Sequence, residues 1–414
     1  MRVLYFHQHF STPSGASGTR SYELARRLVK RGHEVTLICG TNLRARPRME
    51  TPSKKSVVES EIDGIKVIEV VLPYSNHDGL LKRSTIFLRF AFASLKFALS
   101  REYDLIFTTS TPLTVGIPGI AAKIFRRKPF IFEVRDLWPE LPKAMGAVTN
   151  PIVLLMLEAL ERSSYMASDA CVALAPGIAE GIRKKSGPGH PIAMIPNACD
   201  LGFFGRIADR GKAYPELPSD DLICVYAGAH GQANGLDAAL DAAAVLNSRS
   251  ERGIALVFIG DGREKPRLMQ RKEAEGLGNC YFFDLMPKGN LADALAAADV
   301  GMQLLANIPA FYYGTSPNKF FDYIATGIPV LNNYPGWVAD LIEENECGVA
   351  VPADDPAAFA DALVSLRDNR EGRASMCIRS RELAESEFSR EVLAEEFCEF
   401  LERYGDPSSA AVAN

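Results

Sequence analysis

Short uninterrupted apolar runs alternate along the chain with longer segments whose apolar side chains return every three or four positions, and the alternation restarts once. Residues 2–6, 34–39, 64–72, 104–108, 130–134, 170–173 and 193–195 read as strands, short and apolar enough to be covered on both faces as in a parallel sheet. Between the first two, a helix over 21–31 turns Leu24, Leu28 and Val29 inward and stops at Gly32. From residue 222 the pattern begins again, with strands at 222–228, 254–259, 281–283, 300–305, 330–331 and 348–351. Two successions of β/α units joined at Pro196-Asn197-Ala198-Cys199-Asp200 imply an α/β chain of two Rossmann-like domains, 1–200 and 201–385, facing each other across a cleft. A final helix and tail, 386–414, has no sheet of its own left to cover and is expected to cross back to the first domain.

The most informative stretch is 312–332. Ser316 suits a helix N-cap and Pro317 the first helical position, so a helix is expected from Ser316 until Gly327, with Pro329 barring continuation into the strand at Val330. The bare amides around Ser316 and Asn318 would form an anion site to which Lys319 adds a full charge, and Asp322 could accept two hydrogen bonds from a sugar diol. A capped helix with a solvated Asp322 accounts for the same residues.

The loop 7–20 after the first strand carries Gly15 and Gly18 and ends at Arg20, offering close backbone approach to a ligand with a cation beside it; equally, its glycines serve only the turn. Residues 41–60, polar and rich in Arg and Lys, read as a mobile loop. Thr109-Ser110-Thr111-Pro112 and Arg135-Asp136 with Glu140 stand at the carboxyl ends of strands, where open α/β sheets keep their chemistry; an ion pair of Arg135 with Asp136 or Glu140 is the structural alternative. Leu80–Ser100 mixes Lys82, Arg83, Arg89 and Lys96 with large apolar residues; with Lys123, Arg126, Arg127 and Lys128 it suits an anionic lipid surface, and a core helix with solvated ends suits it as well.

Charge sharpens this division. Residues 1–200 carry 27 Lys and Arg against 18 Asp and Glu, and residues 201–414 carry 19 against 33, so a basic half precedes an acidic one. The basic half suits an anionic surface or acceptor. The eight cysteines and six histidines show no metal-ligand spacing, and the cysteines read as reduced, mostly buried thiols. Residues 1–6 read as a strand turning polar at His7 rather than as a signal peptide, and no apolar run reaches the roughly 18–20 residues that span a bilayer, so a cytoplasmic protein is expected.

These residues together resemble the GT-B glycosyltransferases, in particular the retaining bacterial group that builds O-antigen and capsule units and includes fucosamine-type transferases. The likeness covers nearly the whole chain. It rests on Gly18-Thr19-Arg20-Ser21-Tyr22-Glu23-Leu24-Ala25, Arg31-Gly32-His33-Glu34-Val35-Thr36, Arg135-Asp136-Leu137-Trp138-Pro139, Ile195-Pro196-Asn197 with Asp200, Gly260-Asp261-Gly262, Ser316-Pro317-Asn318-Lys319 with Asp322, and Gly327-Ile328-Pro329-Val330. The resemblance implies metal-independent transfer, with retention, of a sugar from a nucleoside diphosphate sugar, UDP-linked, to a glycan or polyprenyl-diphosphate-linked acceptor. It implies no cofactor and no nucleic acid partner, and a place on the inner face of the cytoplasmic membrane. Asp322 matches the second acid of the family's Glu-x7-Glu motif, while the first falls on Gly314; the two cations of Gly-Arg-x4-Lys-Gly fall on Ala229 and Asn234.

With those cations absent, leaving-group charge must be met elsewhere. Lys319 is the first candidate, then Lys265, Arg20 and Arg135, with Asp136 as the acid/base group. Gly18, Gly228, Gly231, Gly262, Ser316, Asn318 and Lys288 complete the expected nucleotide-sugar site, the last through a loop beside the base. Three other functions fit the fold: a non-catalytic binder regulating another transferase, a sugar-nucleotide epimerase, and a nicotinamide dehydrogenase, the last disfavoured because neither glycine turn is a clean Gly-x-Gly-x-x-Gly.

Overall fold

The computed structural model describes residues 1–13, 15, 18–42, 56–74, 79–205 and 208–405. The chain divides into two units. The first comprises Met1–Pro196, Gly314–Ser316 and Glu391–Asn414, and the second Asn197–Tyr313 and Pro317–Arg390.

The first unit is built on an eight-stranded sheet of β1 (Arg2–Phe6), β2 (Glu34–Asn42), β3 (Val57–Ile62), β4 (Ile65–Tyr74), β5 (Leu105–Thr109), β6 (Phe130–Val134), β7 (Ala170–Ala173) and β8 (Ile192–Met194), in the spatial order β3-β4-β2-β1-β5-β6-β7-β8. All neighbours are parallel except β3, which runs antiparallel to β4. Every residue of β5, β6 and β7 is buried, which explains their unbroken apolar sequence. The loop expected over 41–60 is corrected at both ends. β2 runs on to Asn42, and Val57–Ile62 forms a strand with partly exposed residues, whose polar composition hid it from a search for apolar runs. Residues 43–55, with Ser14, Ala16 and Ser17 of the first loop, lie outside the described residues.

The helix Arg20–Lys30 buries Leu24 and Leu28 and leaves Val29 half-exposed. Against its outer face runs the last helix, Arg390–Gly405. Arg27 pairs with Glu395, Arg31 with Glu395 and Glu402, and the Phe397 ring meets Phe107 of β5 edge-on at 5.0 Å. The crossing-back expected for this segment therefore has a concrete form, an apolar plug fixed by a rim of ion pairs.

The second unit is a six-stranded, wholly parallel sheet of β9 (Leu222–Ala227), β10 (Ile254–Ile259), β11 (Cys280–Phe283), β12 (Val300–Gln303), β13 (Val330–Asn332) and β14 (Gly348–Ala350), ordered β11-β10-β9-β12-β13-β14. From β9 the chain steps outward through β10 to β11, then returns to place β12 on the other side of β9. That reversal opens a crevice between the carboxyl ends of β9 and β12. Reversal also occurs in the first unit, between β1 and β5. All eight cysteines are free thiols, seven of them buried. Among the described residues no helix is long and apolar enough to cross a membrane.

Candidate active site

In the second unit, β9 ends in the turn Gly228-Ala229-His230-Gly231 and β10 in Gly260-Asp261-Gly262, and the two turns lie backbone to backbone. His230 donates its N–H to the Asp261 carbonyl at 3.0 Å, and Gly228 donates to Ile259 at 2.9 Å. A Cβ on Gly260, whose φ is +146°, would stand 1.9 Å from the Gly228 carbonyl oxygen, and one on Gly262 would stand 2.3 Å from that of His230. Only glycine allows this approach. Gly231 leads into the short 3-10 turn Gln232–Asn234.

Across the crevice is the helix Asn318–Thr326. It begins two residues later than expected. Pro317 holds the N-cap position in an extended conformation, φ −76° and ψ 122°, and has no polar side chain to cap with, while Ser316 lies outside the helix. Pro317 thus gives no side-chain acceptor to the amides at this helix start, and Asn318 is exposed at the first position. Gly327, left-handed at φ +81°, closes the other end by donating to the Tyr323 and Ile324 carbonyls.

Lys319 points from this helix toward the β9 turn, with Gly228 so close that a Cβ there would lie 3.1 Å from the lysine Cδ. Its ammonium donates to Asn234 Oδ1 at 3.3 Å and stands 5.1 Å from the centre of the Tyr226 ring. It makes no ion pair among the described residues. Burial lowers its pKa to about 8, against a smaller opposing pull from Asp322. Asp322, also half-buried, has its carboxyl pushed up to about 7 by burial, with Lys288, Arg390 and Lys319 drawing it down and Asp200 pushing it further up. Asp200 is itself ion-paired with both Lys288 and Arg390; burial raises it, but the two cations overcome burial and hold it below the usual carboxylate range. Lys288 lies 5.0 Å over the Phe203 ring, so it joins this network through its side chain rather than offering only loop backbone.

Two expected cations already have protein partners. Lys265 donates to the Gly260 and Phe283 carbonyls at 3.1 and 2.9 Å and to Asp284 at 2.7 Å, so it closes the β10 turn. Arg20 is 3% exposed and is bound to Glu133 at 2.8 Å and to the carbonyls of Ile195 and Pro196. It locks the start of its helix to β6. Gly18 is exposed two residues before it.

In the first unit the carboxyl ends of β1, β5 and β6 gather a second set of polar groups. The Arg135 guanidinium donates to His7 Nε2 at 3.3 Å, and its backbone N–H to Ser110 Oγ at 2.9 Å. Burial and the adjacent Arg135 keep the His7 ring neutral. Asp136 accepts from Thr111 at 3.0 Å, and burial raises its pKa against the pull of Arg135. Neither alternative ion pair forms: Glu140 is bound by Lys185 at 3.1 Å. The sequence reading marked the Thr111 loop and Lys288 but passed over His7 and Tyr226 as site residues and the joining of Lys288 with Asp200 and Arg390 in one network. Only His7, with His9 directly behind a buried strand, carried a local signal.

Family models match both units: "Glycosyl transferase 4-like domain" over residues 15–198 and "Glycosyl transferases group 1" over 221–369. The chain is 25% identical over 244 residues to the lipopolysaccharide core biosynthesis glycosyltransferase LpsE of Rhizobium meliloti, covering 58% of this chain and 66% of that protein. It thus spans about two thirds of LpsE and under half of several other curated relatives. Sucrose-phosphate synthase from Thermosynechococcus elongatus shares the fold with a TM-score of 0.75 at 18% identity over 97% of this chain and 98% of that one. HepE from Anabaena, solved with UDP-glucose, shares it with a TM-score of 0.69 at 15% identity over 97% and 99%. With both units matched in order and the whole fold shared, the chain belongs to the group 1 glycosyltransferases of the GT-B fold.

Proposed function

We propose that the protein is a retaining glycosyltransferase that moves a hexosyl or N-acetylhexosaminyl group from a UDP-linked sugar to a glycan or polyprenyl-diphosphate-linked acceptor in surface polysaccharide assembly. The observation that carries this reading is Lys319: a half-buried cation with no ion-pair partner among the described residues, beside a helix start whose N-cap residue, Pro317, gives no side-chain cap, and a glycine-lined turn, one turn before an acid. A diphosphate supplies the missing countercharge. HepE with its UDP-glucose and LpsE with its role in the lipopolysaccharide core support the donor and product classes.

As the bond from the anomeric carbon to the diphosphate oxygen breaks, negative charge grows on the leaving phosphate. Lys319 and the bare amides stabilise that charge in a desolvated site, where such contacts count most. Asp322 as carboxylate accepts from the ribose hydroxyls. Asp136, oriented by Thr111, takes the acceptor proton.

The test is release of nucleoside diphosphate from a panel of donors, with and without acceptor. Lys319→Ala should lower kcat by about 10²–10³-fold with a smaller change in KM. Asp136→Asn should slow transfer and leave donor binding intact. A Lys319→Ala variant with full turnover removes the lysine from this role. Donor binding without turnover in the parent protein favours the second reading, a non-catalytic nucleotide-sugar binder, for which neutral Ala229 and Gly314 at family charge positions argue.

A further inference from the structure

The second unit holds a cavity of about 460 Å³ between the start of the helix Asp237–Ser248 and the loops that follow β12, β13 and β14. Backbone constraints fix its walls. Gly235, left-handed at φ +56°, passes so close to the loop after β12 that a Cβ on it would stand 2.7 Å from the Ala306 nitrogen, and Ala306 donates its N–H to the Ala233 carbonyl at 3.0 Å. Asn333, buried beside them, accepts from the Leu305 N–H at 3.0 Å and donates to the Leu305 carbonyl at 3.2 Å. The turn Gln232–Asn234 therefore has two sides: Asn234 accepts from the Lys319 ammonium, while Gln232 lines the cavity. Buried Leu305 and Phe359 supply an apolar lining, and exposed Gln232, Asn307 and Asp354 supply polar groups.

Size and charge restrict the occupant. A volume of about 460 Å³ falls within the range of small-molecule sites, roughly 300–1,000 Å³, and far exceeds what one water or ion needs. Four carboxylates line it, those of Asp237, Asp241, Asp354 and Asp355, so a phosphate or another anion is repelled. These acids are also engaged already. Arg267 and Arg271 bind Asp237, Arg271 also binds Asp241, Asn307 donates to Asp354, and Asp355 accepts from the Ala358 N–H at 2.9 Å. Among the described residues no three His, Cys, Asp or Glu side chains are placed to hold a metal ion. What the cavity offers is amides and spare carboxylate lone pairs beside apolar carbon, and no hydrogen bond engages the Gln232 side chain among the described residues. Neighbouring hydroxyls of a sugar ring donate to carboxylates and exchange hydrogen bonds with amides, while the C–H face of the ring meets apolar side chains. We propose that the cavity is a second sugar site, which holds neutral hexose units of a glycan away from the bond being made. This choice of ligand rests on the transferase reading, whereas the cavity and its lining do not.

The experiment is saturation-transfer NMR on the full chain with maltose, lactose and N,N′-diacetylchitobiose, each with and without saturating UDP. Transfer to the ring protons of a disaccharide is expected, and it should persist under UDP, which is directed to the Lys319 crevice. Gln232→Ala with Asn307→Ala should weaken that binding by about tenfold or more with an essentially unchanged melting temperature, since both side chains are exposed. Ala238→Leu, which fills the cavity without removing a polar group, should do the same. Lys319→Ala should leave sugar binding intact. Transfer to none of the disaccharides, transfer abolished by UDP, or undiminished binding in the lining variants would overturn the proposal. Sugar binding by a parent protein that releases no nucleotide from any donor would support the site while sinking the transferase reading, so the two fail separately.

Discussion

Lys319 and Asp322 are held in states that cost the free protein stability. Each is desolvated, and each has its pKa drawn toward neutrality, to about 8 and about 7. Donor binding needs the ammonium and the carboxylate together. It should therefore strengthen as pH rises through about 7, weaken above about 8, and lose its acidic limb in Asp322→Asn; titration of nucleoside diphosphate binding across pH 5 to 9 checks this. The stability consequence has a definite sign. A carboxyl raised in the folded state is neutral there while already ionised in the unfolded chain, so its cost grows from about pH 4 and is complete above about 7. Asp322→Asn should accordingly stabilise the free protein at pH 8, by on the order of 1 kcal/mol after allowing for partial solvation, and do nothing near pH 4. Thermal unfolding at the two pH values reads it.

At the scale of elements, the two glycine turns matter most. Gly260→Ala would drive a Cβ into the Gly228 carbonyl, with no flexible side chain to yield. About 2–4 kcal/mol of destabilisation is expected, with donor binding lost alongside it, measured by denaturant unfolding and nucleotide titration. Such turns were legible from the sequence because glycine spacing behind a buried apolar run reports a local backbone need. Strands 130–134, 170–173 and 254–259 were legible for the same reason, since burial on both faces leaves no polar position to blur their ends. β3 was not legible, because an antiparallel edge strand with one solvated face looks like a polar loop. Ser316 was misread because N-cap preference is a local tendency that the adjoining proline overrode. Arg20 and Lys265 show the deeper limit. Sequence marks a cation near a ligand loop, but only the fold reveals that Glu133, Asp284 and nearby carbonyls have already engaged it.

At the scale of the whole molecule, the chain leaves the first unit at Pro196, touches it again at Gly314–Ser316, and returns to it from Glu391. Phe397, fully buried and edge-on to Phe107, is the plug of that return. Phe397→Ala should cost about 3–5 kcal/mol and lower the unfolding midpoint of the first unit, followed by hydrogen exchange at β5. The returning helix also fixes an order of events during synthesis. The amino-terminal sheet emerges from the ribosome first, yet one flank stays uncovered until the last helix has been translated, so the lobe that starts earliest finishes latest. Until then its greasy flank is open to chaperones, and a stop codon anywhere between the lobes would yield a nascent product fit for proteolysis rather than half a working enzyme.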